Sequence, residues 1–331
     1  MFNVNRSLIR RYRLKNQKAV AECLQTEFKS DLPLTIYWDG KLIKDITGHK
    51  TVDRLPILVS RHGIDQLLAV PKLERGTNTA YASAVYEAIN SWSLSGKVKY
   101  LCFDTTAVNT GLKNGACVQL ERKMEKDMLC LPCRHHILEI MLSAAVDESL
   151  GPSSDPDIPL FKRFKNNWYN IDYKTIINDT TSHIEENVVA DKISIAQKQL
   201  QVHQPRDDYK ELLHLTIIYL GGVPEKSISF RRPAGLHRAE WMAKALYCLK
   251  IFLFKHQFQL TKKKEKVLRE ICIFTLIIYI KYWFQSPTGW SAPRNDLQLL
   301  KYLKDFDGIN PEIASVALKK ILGHLRYLSK S

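Results

Sequence analysis

Acidic residues are scarce in this chain, and so are long apolar runs. Its 331 residues hold 34 Asp and Glu against 49 Lys and Arg, a formal charge of +15. That excess favours nucleic acid, an anionic surface or an acidic partner, although the charges are spread widely enough to serve solubility equally well. The most apolar stretch, Ile271–Ile280, follows Arg269 and Glu270 and precedes Lys281. It falls far short of the ~20 residues a membrane span needs, so a buried core helix and no membrane partner are expected. The seven Cys have no regular spacing, and Cys102, Cys117, Cys130, Cys248 and Cys272 sit inside apolar runs. They read as small buried hydrophobes in a reducing compartment. The first thirteen residues break into Arg6, Arg10, Arg11 and Arg13 before any apolar core of signal-peptide length, so secretion is not expected. There is no Walker A loop, no Gly-x-Gly-x-x-Gly and no Gly-x-Ser-x-Gly, and no internal repeat or low-complexity tract.

What is present is an ordinary globular composition, 45% hydrophobic and 25% charged, enough for one large domain or two moderate ones. Residues 1–30 form a basic arm, with a helix expected over 6–29. Strands follow at Leu34–Gly40, Leu55–Val59 and Gln66–Val70, which read as a three-strand meander. Helical spacing then covers Asn78–Trp92, with Gly96 placed to end it, before an apolar strand leads into Asp104. A helix over Gly115–Glu125, a strand over Met128–Leu131 and a helix over His135–Ser149 complete the order β-β-β-α-β-α-β-α. This is the element order of the ribonuclease H-like fold, an α/β architecture with a mixed sheet, here assigned to residues 31–150. The linker Gly151–Pro159 separates it from residues 151–331, which are mainly α-helical in pattern: Tyr209–Leu220, Ala239–Phe254, Lys264–Phe284 and a last helix from Pro311 to Leu328.

In that order of strands, the first and fourth are neighbours. Asp39 ends the first and Asp104 follows the fourth, so the two carboxylates are expected side by side. Paired carboxylates suit Mg²⁺ or Mn²⁺, hard cations that take oxygen ligands and can serve phosphodiester chemistry. Cys130-Leu-Pro-Cys133-Arg-His135-His136 admits zinc by residue type, but no second Cys pair follows, and zinc is disfavoured.

Phe103-Asp104-Thr-Thr-Ala-Val-Asn109-Thr-Gly111, followed by Cys133-Arg-His-His136, resembles the core of DD(E/D) transposases of the hAT-like group, whose ribonuclease H-like domain is interrupted by a helical insertion. The resemblance implies that Asp39 and Asp104 are catalytic metal ligands and that Asn109, Cys133 and His136 are structural residues near the site. The helical half would be the insertion. Its Leu236-His-Arg238-Ala-Glu-Trp241-Met-Ala-Lys244 is similar in character to the Arg/Trp motif of that group. Arg238, Trp241 and Lys244 would then contact distorted DNA. Arg10, Arg11 and Arg13 of the basic helix read, by their own pattern, as a DNA-contacting arm, a nuclear-import signal or a solvated helix face. Trp241 equally fits the core face of its helix, beside Met242, Ala245, Leu246 and Leu249.

Three departures from the family pattern point to weakened or lost cleavage. Among Glu265, Glu270, Asp296 and Glu312, none stands in a pattern that marks the third carboxylate. Cys23 is the sole Cys ahead of the core, too few ligands for a zinc finger. The sequence also ends directly out of a helical pattern, as a shortened transposase would. The expectation is a transposase-derived, nuclear, DNA-associated protein. The alternatives are a non-catalytic scaffold binding a protein partner or a second copy through its helical half, and a divergent metal-dependent nuclease.

Overall fold

Continuous apolar runs become central strands because a strand covered on both faces needs no polar side. The computed structural model describes residues 5–44, 48, 50–61, 63–152, 158–176, 184–204, 206–224, 230–233, 240–286 and 289–325, without the side chains of 240 and 241. The chain divides into two compact units, Met1–Leu131 and Pro132–Ser331.

In the first unit, α1 (Arg6–Glu27) precedes β1 (Leu34–Trp38), β2 (Lys41–Lys44), β3 (Thr51–Arg54), β4 (Ile57–Arg61), β5 (Ile64–Ala69) and β6 (Lys72–Leu73). Then come α2 (Asn78–Ser91), β7 (Val98–Cys102), α3 (Ala107–Thr110), α4 (Ala116–Met124) and β8 (Leu129–Cys130). A mixed five-stranded sheet has the order β5-β4-β1-β7-β8. Strand β4 is antiparallel to both β1 and β5, whereas β7 is parallel to β1 and β8 to β7. Leu34, Ile36, Ile57, Val59, Val98 and Leu101 are fully buried and pack with Val85 and Ile89 of α2 and Leu120 of α4. Burying each such side chain contributes about 1.5–3 kcal/mol, so the three central strands, β4, β1 and β7, anchor the unit.

The expected meander is interrupted. Strands β2 and β3 are interposed between its first and second strands and join β6, which follows its third, in a second sheet of order β2-β3-β6. Strand β2 buries no residue, and Leu42 is 76% exposed, so neither burial nor alternation marks it in sequence. Helix α2 is capped by the Thr77 side chain, which accepts from Ala80 N. It ends at Ser91, with Ser93 taking the left-handed conformation (φ 56°), earlier than the expected stop at Gly96. The fifth strand shortens to Leu129–Cys130.

The second unit is helical among the described residues: α5 (Arg134–Leu150), α6 (Pro159–Asn167), α7 (Glu186–Gln201), α8 (Asp207–Tyr219), α9 (Glu240–Leu253), α10 (Lys262–Phe274), α11 (Ile280–Gln285), α12 (Ala292–Phe306) and α13 (Pro311–Leu322). Helix α5, expected to close the sheet-bearing region at residue 150, packs instead with α13, α9 and α10. The compact unit therefore begins at Pro132 rather than in the linker, most of which lies outside the described residues.

The single helix expected over Lys264–Phe284 runs continuously from Lys262 to Gln285, with a π-helical segment at Thr275–Tyr279. There the Thr275 hydroxyl donates back to the Ile271 carbonyl (2.8 Å), a local bond that competes with the regular helical pattern. The last helix starts as expected, with Asn310 capping Ile313 N and Pro311 in the first turn, but it stops at Leu322. Ile271–Ile280 is buried in the core as expected, and no helix of the described residues is long and apolar enough to cross a membrane.

Candidate functional site

Strands β1 and β7 pair with Tyr37 opposite Cys102. Asp39 and Asp104 therefore leave the same end of the sheet from adjacent parallel strands, the end at which open α/β sheets present ligand sites. Asp104 is half-buried and firmly held. Its Oδ1 accepts from Thr106 N (3.0 Å), Thr106 Oγ1 (2.6 Å) and Asn109 Nδ2 (2.8 Å). Asn109 is 1% exposed, and its own Oδ1 accepts from Trp38 Nε1 (2.8 Å). The Trp38 ring stacks on Phe103 at 5.2 Å. A continuous chain thus ties the end of β1 to the carboxylate beyond β7. Thr106 and Asn109 can reach Asp104 because the loop doubles back tightly at Gly111 and Gly115. A Cβ on Gly115 would meet the Asn109 carbonyl oxygen and two backbone atoms of Gly111, each at 2.6 Å.

Asp39 is more open, with its side chain 52% exposed, and Lys41 Nζ lies 2.6 Å from its Oδ2. Two further residues belong to this end of the unit and were not singled out from the sequence. Tyr81, on α2, has its phenol held above the ordinary pKa by burial and then by the charges of Asp53, Asp104 and Asp39. Asp53, on β3, reaches the same place because Gly76 has no side chain; a Cβ there would stand 2.9 Å from Asp53 Oδ2. A Cβ on Gly40 would collide with the Tyr81 hydroxyl. The signal in the sequence was the pair of glycines flanking a strand-and-helix junction, legible only once Tyr81 is placed between them.

Carboxylate oxygens are the donors Mg²⁺ and Mn²⁺ prefer. As arranged, however, the residues do not make a cage for either ion. Lys41 neutralises Asp39, and among the described residues no three His, Cys, Asp or Glu side chains come close enough together to hold a metal. No metal-dependent step follows from this geometry.

The remaining expected site residues lie in the second unit or on α1. Arg10, Arg11 and Arg13 are exposed on α1, a helix of 22 residues with none buried. Lys244 is 0% exposed within α9. Its expected contact with DNA is corrected: an ammonium fully enclosed in a helical core cannot meet a phosphate, whatever its neighbours. Arg238 lies outside the described residues, as does the side chain of Trp241, whose backbone is in the first turn of α9. Met242, Ala245, Leu246 and Leu249 on the same helix are buried.

Cys133 and His136 open α5, Cys133 as the residue preceding its first turn, without a side-chain cap bond. Of the acids weighed as third ligand, Asp296 is paired with buried Arg134, Glu265 with Lys255 and Arg269, and Glu270 with Lys266. His135 has a structural role. Its Nε2 bonds the Trp283 carbonyl (2.8 Å) and its ring lies 4.3 Å from the Trp283 ring, fastening α5 to α11.

Burial holds the His135 imidazole below its ordinary pKa, the bond to Trp283 opposing it, and burial acts the same way on His214. The unfolded chain therefore binds these protons at a higher pH than the folded one, so stability falls as pH drops below about 6.5, by up to ~1.4 kcal/mol per pH unit for His135 and by less for the more open, solvent-screened His214. Melting temperatures at pH 7.5 and 5.5 should show a drop in the wild type that shrinks in His135→Gln. An identical drop in both proteins would show that His135 does not set it.

No family model matches the chain, and no curated protein matches it significantly.

Proposed function

We propose that this is a transposase-derived, nucleic-acid-associated protein of the nucleus, in which the first unit is a ribonuclease H-like core and the second corresponds to the helical insertion of the hAT-like group. Its ancestral chemistry is metal-dependent DNA cleavage and strand transfer, weakened or lost. One observation carries this reading: Asp39 and Asp104 stand at the same end of adjacent parallel strands in a sheet of order β5-β4-β1-β7-β8. Two antiparallel strands on one side of β1 and two parallel strands on the other are what a ribonuclease H-like core requires. The exposed arginines of α1 and the charge of +15 support a polyanionic partner. The Lys41–Asp39 pair supports the loss of cleavage, because an ammonium occupies the charge a divalent ion would need.

Binding and chemistry separate in one set of measurements. Affinity for duplex DNA should fall steeply between ~50 and ~200 mM salt, since phosphate contacts release counterions. Mn²⁺ titration by calorimetry should show weak binding in the wild type and none in Asp39→Asn or Asp104→Asn. Lys41→Gln should bind Mn²⁺ roughly three- to tenfold more tightly by removing the competing charge. Nicking of supercoiled DNA is expected neither from the wild type nor from the two Asn variants. Salt-independent DNA binding, or a Mn²⁺ response indifferent to all three substitutions, would overturn the reading. A protein partner on the helical unit would then be the better account.

A further inference from the structure

The loop that leaves Asp104 is gripped at its far end. Asn78 Nδ2 and Gln119 Nε2 both donate to the Asn114 carbonyl, at 2.6 and 2.8 Å, and Arg122 Nη2 donates to the Lys113 carbonyl at 3.1 Å. Helix α2 leads into β7 and α4 into β8, so both start at the end of the sheet where Asp104 emerges. Between them lies an open cavity of about 480 Å³ lined by Asn78, Thr79, Asn114, Gln119, Arg122 and Lys123. Its lining holds two cations, three amides and a hydroxyl, with no carboxylate and no apolar side chain.

The fold gives these two cations little to do. Only one Arg122 nitrogen is used on the loop, and Lys123 Nζ stands 5.7 Å above the Tyr86 ring. The carboxylate next to them on α4, Glu121, accepts from Met128 N at 2.9 Å. Among the described residues neither Arg122 nor Lys123 forms a salt bridge.

We infer that the cavity between α2 and α4 binds phosphate groups of a nucleic-acid strand, beside the loop that positions Asp104. This rests on the nucleic-acid reading above and adds to it a place on the first unit where the backbone is held. A guanidinium with unused donors, a neighbouring ammonium and flanking amides suit phosphate oxygens, and nothing in the lining repels them. Such contacts position the strand without reading its sequence.

The test uses the whole chain, with fluorescein-labelled single-stranded and duplex oligonucleotides followed by anisotropy across a salt series. Arg122→Gln/Lys123→Gln should weaken binding ~10-fold at ~100 mM salt and reduce the salt slope by about two, uniformly across oligonucleotide sequences. Lys262→Gln/Lys263→Gln, which removes the same charge from exposed positions of α10, should change neither. Arg122→Lys/Lys123→Arg, which keeps the charge, should bind as the wild type does. Equal losses in the first two double variants, or none in either, would overturn the inference while leaving DNA binding intact. If the wild type binds no oligonucleotide, the nucleic-acid reading and this occupant fall together. Inorganic phosphate then decides what remains: a melting shift lost in Arg122→Gln/Lys123→Gln assigns the cavity to free phosphate, and no shift removes the site.

Discussion

Replacing Arg134 with Met should destabilise the second unit by about 3–5 kcal/mol, and Asp296→Asn should do nearly as much, because each change takes the ion-pair partner from a buried charge. The two side chains are 6% and 7% exposed. Arg134 Nε lies 3.0 Å from both Asp296 oxygens and Nη2 lies 2.6 Å from Oδ2. Nη1 donates to the Pro132 carbonyl, so the guanidinium also fixes the turn into α5. The double change Arg134→Met/Asp296→Leu removes both charges and should recover most of the loss, since well-packed apolar replacements of buried pairs are often neutral. Urea unfolding of the four proteins gives the coupling energy. The result bears on chemistry as well as stability. Asp296 is one of the acids that could have completed a metal site, and a carboxylate committed to Arg134 is not available to an ion. Asp296→Asn with unchanged stability but lost Mn²⁺ binding would reverse that assignment.

The parts of the fold that were legible in the sequence are those where burial dictates composition. The apolar runs of β1 and β7 and the spacing of Ile137, Leu138, Met141, Leu142 and Ala145 on α5 mark their elements without help from the rest of the chain. An apolar helical stripe says that a partner exists, not which one, so α5 was assigned to the sheet although it packs on α13. Strands β2 and β3 were missed because neither buries a residue and both carry charge, with Lys at both ends of β2 and Asp53 and Arg54 closing β3, so no burial signature marks them.

At the candidate site, Asp39 and Asp104 were legible because a carboxylate closing an apolar strand is costly unless it has work to do, whereas Asn109 was singled out only through the family resemblance. Asp53 and Tyr81 were not, since their convergence depends on a register between β3 and α2 that no local pattern encodes. Lys244 misled for the opposite reason: by type a lysine belongs at the surface, and only the packed structure reveals the rare case that does not. The Arg134–Asp296 pair, 162 residues apart in sequence, had no local signal at all.

Asn109→Leu should cost the first unit about 3 kcal/mol and release Asp104, although the side chains are of similar size. The substitution leaves Trp38 Nε1 without its acceptor inside the core, at about 1–3 kcal/mol, and removes a hydrogen bond to a charged carboxylate, typically about 1.5–3 kcal/mol. Trp38 and Asn109 are 2% and 1% exposed, so water cannot replace what is lost. Asn109→Asp separates the two contributions. It keeps an acceptor for Trp38 but sets a second carboxylate against Asp104 Oδ1, where the Asn amide stood at 2.8 Å. Like charges that close raise the pKa of one acid, so this variant should approach wild-type stability near pH 4 and lose it as pH rises to 7, when both groups ionise. Hydrogen exchange of the Leu34–Trp38 and Val98–Cys102 amides is the direct measurement, because the chain from Trp38 through Asn109 to Asp104 ties the ends of these two strands. Faster exchange confined to their carboxyl ends is expected in Asn109→Leu. Unchanged exchange with a loss below about 0.5 kcal/mol would mean that Asp104 is held by Thr106 alone, and that Asn109 has no part in presenting the carboxylate.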